Sequence, residues 1–394
     1  MRVRFGMLSC VVVAVVALTG CGDPSTPTPT VDISKLDSGN YQAVPFERHE
    51  LRESKYGALL EAVRIGAVTP LISDADDRFS FQRFANAERR LLPDSLPSLF
   101  SLKAEEFTEL TQGFVTGWTT NAERRKQLFV GRQVTVQILR FRDAGEAETA
   151  ELRLAERQAR NLPGETVSVA GFPQARAKWS PSQKYLDVWL ADESLLLYVH
   201  MDDPVSEPPE AAPLLDIVRK VLANQLNGLE SYTPTPLDEF GSLPIDVDGL
   251  LSRTLPLDAS EKATSYDQST VFPGRAALHL ESRPAVAEAA FDDAGVDLVS
   301  DSGARVYRAR DRAGAVRLMA ALIEQRSSGW QARDAPPGLP AAECFDTKDK
   351  KLNSSTYPPV CFVPYDRFIA LVTGGNTQEI NQKAAAQYKL LAFA

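Results

Sequence analysis

Two stretches of the chain repeat the same order of apolar and polar positions. Val134, Val136 and Ile138 alternate with polar residues, which predicts a strand with one buried face. An Arg-x-Arg-Asp sequence ends this strand at residues 140–143 and recurs at residues 308–311. In both places the aspartate is positioned to cap a helix, because its carboxylate can accept the free N–H groups of a first turn. The pattern therefore predicts a strand followed by a capped helix in each stretch.

The helices are predicted from apolar residues at spacings of three and four, which share one helix face. These residues are Ala147, Ala150, Leu154 and Ala155 in the first copy, and Val316, Met319, Ala320 and Ile323 in the second. Each copy continues with a Gly-x-Pro break, a hairpin with a four-residue turn, and a last helix over residues 214–226 or 380–391. The common pattern is β-α-β-β-β-α. We expect an α+β fold of two tandem units, each an antiparallel sheet with its helices on one face.

These copies set the expected domain boundaries. Residues 1–20 are a leader, 21–30 a tether, and 31–228 an N-terminal domain that includes an extended initial segment and a helix over residues 56–65. Residues 229–274 contain five prolines and are expected to connect this domain to a C-terminal domain over 275–394.

The first residues have the pattern of an export signal. A basic start, Arg2 and Arg4, precedes an apolar run over residues 5–18 that is shorter than the ~20 residues of a membrane span. The run ends in Leu-Thr-Gly-Cys21, which resembles the bacterial lipobox, in which the cysteine is acylated. An ordinary signal peptide with an incidental cysteine is the alternative. We expect Cys21 to carry lipid such as palmitate, and the protein to lie on the extracytoplasmic face of the cell membrane. The Pro/Thr-rich tether would then hold the folded part roughly 25–30 Å from the bilayer.

Charge and cysteine content narrow the classes of partner. The net charge of −9, without a long basic cluster, argues against a nucleic-acid partner. An exported protein keeps its cysteines in an oxidising space, so Cys344 and Cys361 are expected to form a disulfide rather than a metal or redox site. In the alignment of the copies Cys344 matches Ala177 and Cys361 matches Val188.

Three features together resemble a family of actinobacterial envelope lipoproteins of unknown function. They are the opening VDISKLDSGNY at residues 31–41, the lipobox, and the duplicated unit. The most specific signatures are Asp37-x-Gly39-x-Tyr41 and VYRARD at residues 306–311. The resemblance implies a duplicated domain behind a lipid anchor, and it implies no activity, ligand or catalytic residue.

Candidate chemistry is sparse. The chain has no Gly-x-Ser-x-Gly, Walker, dinucleotide-binding or His-Glu-x-x-His motif. Asp74, Asp76 and Asp77 are weak candidates for a Ca²⁺ site, with a helix-capping turn as the alternative. Trp118, which follows Gly113 and Gly117, is a weak ligand-binding candidate, with core packing as the alternative. His200 could act as a base or a haem ligand, with a surface or core role as the alternative.

We therefore expect a non-catalytic module without a cofactor, anchored to the membrane by lipid. Its ligand would be an envelope protein or a small molecule, bound in the crevice between the two copies. An envelope hydrolase using the clustered carboxylates, with or without a metal, and a purely structural envelope protein are the alternatives.

Overall fold

Two antiparallel sheets, each with seven described strands, organise the protein. The computed structural model describes residues 31–46, 56–82, 88–93, 102–127, 130–258, 269–326, 329–349 and 357–393. Cys21, the leader and the tether lie outside these residues, so lipidation stays a prediction. No helix within the described ranges has the length and apolar character needed to cross a membrane.

The N-terminal domain has a sheet with the strand order β1-β2-β3-β7-β6-β5-β4. Its elements are α1 (Gly57–Val68), α2 (Ile72–Ala75), β1 (Arg90–Leu91), α3 (Ala104–Leu110), β2 (Phe114–Glu123), β3 (Gln133–Phe141), α4 (Ala144–Asn161), β4 (Glu165–Val169), β5 (Phe172–Ser180), β6 (Tyr185–Asp192), β7 (Leu195–Asp202) and α5 (Ala212–Leu229). Helix α1 is the helix expected over residues 56–65, and α5 extends the helix expected over 214–226 by a few residues.

The C-terminal domain repeats this topology, with the strand order β8-β9-β10-β14-β13-β12-β11. Its elements are β8 (Thr270–Pro273), α6 (Gly274–Ala277), α7 (Pro284–Ala294), β9 (Leu298–Asp301), β10 (Ala304–Arg308), α8 (Arg312–Glu324), β11 (Trp330–Arg333), β12 (Glu343–Thr347), β13 (Val360–Tyr365), β14 (Phe368–Thr373) and α9 (Thr377–Ala392). Short 3-10 helices cover Ile33–Lys35, Leu237–Ser242 and Leu278–Leu280.

The duplication and the α+β class are confirmed, but each copy is larger than the sequence pattern indicated. Four strands, not three, follow the first helix of each copy, because β4 and β11 were missed. Both lie at a sheet edge, and their side chains are mostly exposed. Each has at most two apolar positions in alternation, Val167 and Val169 in β4 and Trp330 and Ala332 in β11, which is too short a pattern to identify a strand. Two further strands precede each repeat, so the copies begin at β1 and β8.

The expectation that both helices of a unit lie on one sheet face was wrong. In β3, Val136 and Ile138 pack in the cluster that contains α5, whereas Leu139 and Phe141 pack with α4 on the other face. In the C-terminal sheet, Phe362 packs with α8, and α9 contacts the same strands from the opposite side. The central strands are apolar on both faces, so each sheet needs a helix on either side.

Both predicted helix caps are confirmed. The carboxylate of Asp143 accepts the N–H of Glu146 at 2.9 Å, and that of Asp311 accepts the N–H of Gly314 at 2.7 Å.

The predicted apolar face is correct for α4 and wrong by one position for α8. Ala315, Leu318 and Leu322 of α8 are buried, whereas Val316 is 61% exposed. Alanine-rich helices offer several apolar faces, and the spacing alone selected the wrong one.

The disulfide between Cys344 and Cys361 is confirmed. The two residues are direct neighbours in the register of β12 and β13, with their Cα atoms 4.1 Å apart. Ala177 and Val188 face each other at the equivalent place in β5 and β6. The aligned copies therefore identified a cross-strand pair correctly. Closing a loop of 17 residues stabilises the folded state by about 3 kcal/mol.

The initial segment, which the sequence pattern grouped with the N-terminal domain, contacts the last helix of the C-terminal domain. Asp37 accepts hydrogen bonds from the N–H of Gly39, at 2.9 Å, and from Nε2 of Gln382 in α9, at 3.1 Å. Nζ of Lys389 donates to Oγ of Ser38 at 3.2 Å. Gly39 has a positive φ of 52°, which favours glycine. The Asp37-x-Gly39 signature thus forms a turn against the last helix.

A buried carboxylate joins α1, β3 and the connection between the domains. Glu61 is fully buried and accepts hydrogen bonds from Nη1 of Arg140, at 2.6 Å, and from the N–H and Oγ1 of Thr235, at 3.0 and 2.6 Å. Nη2 of Arg140 donates to the carbonyl of Thr235 at 2.6 Å. In the second copy, the equivalent Arg308 binds Asp248 of the connection at 2.9 Å. The first arginine of each Arg-x-Arg-Asp sequence therefore holds residues 229–258 on the domains.

The two domains share one apolar core. Trp118 of β2 is fully buried, and its ring lies 6.4 Å from that of Phe272 and 5.6 Å from that of His279 in the C-terminal domain. On its other side it packs on Gly66 of α1, where a Cβ atom would lie 2.6 Å from the indole. The apolar cluster around it contains residues of α1, α5, α7 and α8. Trp118 is therefore the centre of the domain junction.

This contact predicts that Gly66→Ala lowers the free energy of unfolding by about 1–3 kcal/mol, because the added methyl group overpacks the indole. Urea titration measures the change. Gly145→Ala is the matched control, since Gly145 is also helical but its Cβ atom would meet nothing closer than 3.5 Å. The control should be neutral or stabilising by up to about 1 kcal/mol. Equal stability of the two variants would contradict the packing described for Trp118.

His279 is a second constraint at the junction. Its Nε2–H donates to the carbonyl of Thr69 at 3.0 Å, so Nδ1 accepts from the hydroxyl of Thr120 at 2.9 Å. Burial is the main cause that lowers the pKa of His279 to about 3, and the hydrogen bond to Thr69 acts in the opposite direction. The positive charges of Arg89 and Arg275 act in the same direction as burial. The ring is neutral in the folded protein at pH 7.

The unfolded chain protonates His279 near its ordinary pKa of 6.5, so stability is lost as the pH falls from about 6.5 towards 3. We predict that His279→Gln flattens this decline by up to about 1.4 kcal/mol per pH unit, as urea titrations between pH 4 and 7 would measure. His200→Gln is the control. Burial acts to lower the pKa of His200, but the hydrogen bond and the charge of Asp187 raise it above its ordinary value. Below pH 6 the residue is therefore protonated in both the folded and the unfolded protein. Its substitution should leave the slope of stability against pH unchanged there. Identical slopes for all three proteins would contradict the account of His279.

Candidate functional site

A cavity of about 810 Å³ lies where the two domains meet. Phe81, Gln82 and Lys126 of the N-terminal domain line one part of it. The C-terminal domain supplies the rest, from the 3-10 segment near residues 280–283, β10, the end of α8, Trp330 of β11, and strands β13 and β14. The volume falls in the range of small-molecule sites, which favour domain interfaces.

Arg326, immediately after α8, contributes a cation without a counterion. Its guanidinium group lies 5.7 Å from the ring centre of Trp330 and 5.6 Å from that of Phe362. Its side chain forms no ion pair or hydrogen bond with any residue that the structure describes. Burial lowers the pKa of Arg326, although the nearby Tyr307 and Glu281 oppose this change. An arginine starts from a pKa above 12, so Arg326 remains a cation at neutral pH.

The carboxylates of the adjacent wall are already bound. Asp301 accepts a hydrogen bond from Nε of Arg305 at 3.0 Å, and Glu281 lies 3.7 Å from Nη1 of the same arginine. Glu281 also accepts the phenolic hydrogen of Tyr307 at 2.8 Å. Burial and the charge of Glu281 raise the pKa of Tyr307 above its ordinary value, so the hydroxyl stays a donor. These pairs leave the guanidinium groups of Arg326 and Arg283 without a carboxylate partner among the residues that the structure describes.

Two amide side chains of the lining lack partners. Gln82 is 7% exposed, and neither its Oε1 nor its Nε2 has a hydrogen-bond partner. Nε2 of Gln325, also in the lining, is buried and unsatisfied. A buried amide without a partner costs about 1–3 kcal/mol, so such groups usually bind water or a ligand. The residues that line the cavity therefore include two amides whose unsatisfied atoms are buried in its wall.

The acidic candidates do not converge. Asp74 accepts the N–H of Leu71 at 3.0 Å, which caps α2, and it binds Nη2 of Arg275 at 2.7 Å. Asp76 accepts hydrogen bonds from Arg78 and from Nη2 of Arg124, at 3.2 Å for the latter. Although burial raises the pKa of Asp76, these arginines lower it below its ordinary value.

Asp77, the third acidic candidate, is exposed. Within the described ranges no group of three or more His, Cys, Asp and Glu side chains could hold a metal ion. The capping alternative describes Asp74 correctly.

Trp118 and His200 also lie away from the cavity. Trp118 is buried in the domain junction, so its selection as a ligand-binding residue is not supported. His200 lies within β7, and its Nδ1 is 2.7 Å from Oδ1 of Asp187, its neighbour in the register of β6. Asp187 accepts a second hydrogen bond from Tyr198 at 2.6 Å. This cross-strand group is one polar strip of the sheet.

The tryptophan that lines the cavity is Trp330, which the sequence analysis did not select. Its neighbours in sequence, Arg326 and Arg333, are charged, and this was a signal that its ring is not part of a core. Gln82 and Arg326 are separated by more than 240 residues, and no local pattern connects them.

Comparison with known proteins gives a family but no activity. Residues 49–245 match the N-terminal domain, and residues 250–394 the C-terminal domain, of the domain of unknown function DUF7373. No curated protein matches the chain.

The extracellular domain of PknH from Mycobacterium tuberculosis is a solved structure with 11% sequence identity to this chain. The similarity covers 46% of this chain and 99% of that domain, with a TM-score of 0.25, which is too low to support an argument about fold or function. The two family matches, in contrast, cover most of the chain in the order of its two domains. The chain therefore belongs to the DUF7373 family, whose function is unknown.

Proposed function

We propose that the protein is a lipid-anchored, extracytoplasmic binding protein whose ligand occupies the cavity between its two domains. The observation that carries the binding role is the buried, unsatisfied amide of Gln82 in the wall of an 810 Å³ cavity. A buried amide without a partner costs about 1–3 kcal/mol, which a hydrogen bond from a ligand would offset.

The anchor is supported by the sequence. The basic start, the short apolar run and the lipobox-like Leu-Thr-Gly-Cys21 precede a Pro/Thr-rich tether. Several acyl chains on Cys21 would hold the protein firmly at a bilayer surface.

The hydrolase alternative has lost its support. It required Asp74, Asp76 and Asp77 to meet in a pocket, and two of them instead bind separate arginines. We therefore retain the binding role alone.

Thr373→Trp should remove ligand binding, because Thr373 lines the cavity and an indole would fill part of it. Protein purified from its own envelope is analysed by native mass spectrometry. We expect a bound small molecule on the parent protein, its loss from Thr373→Trp, and its retention on Thr149→Trp, the same change on the exposed face of α4. A parent protein without any bound mass, and without thermal stabilisation by any envelope extract, would contradict the proposed site.

Cys21→Ala should release the protein from the membrane fraction and abolish the incorporation of labelled palmitate in cells. Cys10→Ala is the control, because Cys10 lies inside the predicted leader. Membrane association that survives Cys21→Ala, with no lipid detected on the parent protein, would contradict the proposed anchor.

A further inference from the structure

The duplication provides an internal comparison for Arg326. Gln158 and Arg326 occupy the same place, since both come fifteen residues after the capping aspartates Asp143 and Asp311. In the N-terminal domain Oε1 of Gln158 accepts the indole N–H of Trp189 at 2.8 Å. Trp189 in turn stacks on Tyr198 with ring centres 4.1 Å apart. The two rings therefore fill the space beside α4, and the indole N–H is paired.

The C-terminal domain has smaller, apolar partners at the same positions. Phe362 and Leu371 face each other across β13 and β14 as Trp189 and Tyr198 do across β6 and β7. Neither can hydrogen-bond to the residue at the helix position. The guanidinium group of Arg326 lies over the face of Phe362 instead, and the volume that Trp189 and Tyr198 fill in the first copy is part of the cavity in the second.

We propose that Arg326 binds the carboxylate or phosphate of an anionic amphiphile whose hydrocarbon part lies against Phe362, Leu371 and Leu322. This inference rests on the proposed function, because it assigns a ligand class to the same cavity. A guanidinium group held over aromatic rings keeps its N–H edge available for two parallel hydrogen bonds to such an anion.

The lining holds four cationic side chains, Lys126, Arg283, Arg305 and Arg326, and three carboxylates, Glu281, Asp301 and Glu324, so its net charge is positive and favours an anion. The carboxylates of Glu281 and Asp301 are bound by Arg305 and Tyr307, so they offer little to a cationic headgroup. Arg283, over the ring of Phe81 at 5.8 Å, is a second guanidinium group in the wall. The apolar side chains of the lining favour a ligand that has a hydrocarbon part in addition to its anionic group.

Calorimetric titration of residues 32–394, which form one compact unit, tests the ligand class with matched probes. Laurate, dodecyl phosphate, dodecyltrimethylammonium and dodecyl maltoside share one chain and differ in headgroup, and inorganic phosphate has the headgroup alone. Each is titrated below its micellar concentration. We expect laurate and dodecyl phosphate to bind at least tenfold more tightly than the other three probes. The tighter of the two indicates a fatty acid or a lipid phosphate as the source.

Arg326→Gln introduces into the second copy the glutamine that the first copy has at residue 158. It should weaken the binding of both anionic probes by about 10- to 100-fold. The same substitution should leave the affinity for dodecyl maltoside unchanged. Arg326→Lys keeps the charge without the paired donors and should have an intermediate effect. Arg310→Gln is the control, because this substitution removes the same charge from a side chain that is 65% exposed and lies outside the cavity. Thermal unfolding of each variant checks that it is folded.

Three results would overturn the assignment to Arg326. They are equal affinity for all headgroups, tight binding of inorganic phosphate alone, and full affinity of Arg326→Gln for the anionic probes. If no probe binds but envelope-purified protein carries a ligand that Thr373→Trp loses, this inference fails and the proposed function stands. If neither probe nor native ligand is found, both fail.

Discussion

The packing of Trp118 at the junction of the domains is the constraint on which the remaining structure depends. A residue of the first sheet lies against Gly66 of α1 on one side and against Phe272 and His279 of the second domain on the other. Because interiors are close-packed, this contact fixes the relative position of the sheets. The cavity lies at the same junction, so its walls are held in place before any ligand arrives. A preformed site loses less conformational entropy on binding than one that must close.

Buried polar groups then fix the segment that connects the domains. Arg140 binds Glu61 and the carbonyl of Thr235, and Arg308 binds Asp248 and Asp297. Removing one partner of the buried pair Glu61 and Arg140 costs about 3–5 kcal/mol, since the other charge is left without compensation. The partners of Arg308 are more than half exposed, so its ion pairs contribute less. The copies have kept this arginine and diverged elsewhere. One copy has a disulfide where the other has Ala177 and Val188, and one has an open cavity where the other has Trp189 and Tyr198.

Local physical rules in the sequence predicted the parts of the fold that depend on neighbouring residues. Asp143 and Asp311 were recognisable as caps, and the aligned copies identified the pair Cys344 and Cys361. The edge strands β4 and β11 were missed because each offers only two alternating apolar residues. The opposite placement of α4 and α5 was missed because an apolar run such as that of β7 does not tell which of its faces a helix will cover.

The candidate site was less accessible to sequence reasoning than the fold. A crevice between the copies was expected, but Trp118 was selected for the glycines that precede it, and these permit close packing as readily as ligand binding. Gln82, Arg326 and Trp330 come together only through the packing of the two domains. The resemblance of Asp37-x-Gly39-x-Tyr41 to a family signature gave no hint that this segment packs on α9.

Differential scanning calorimetry of residues 32–394 tests the shared core most directly. If the two sheets depend on one core, the protein unfolds in one transition with equal calorimetric and van't Hoff enthalpies. Two separable transitions, one for each domain, would show that the junction is a contact between independent bodies and would contradict this account.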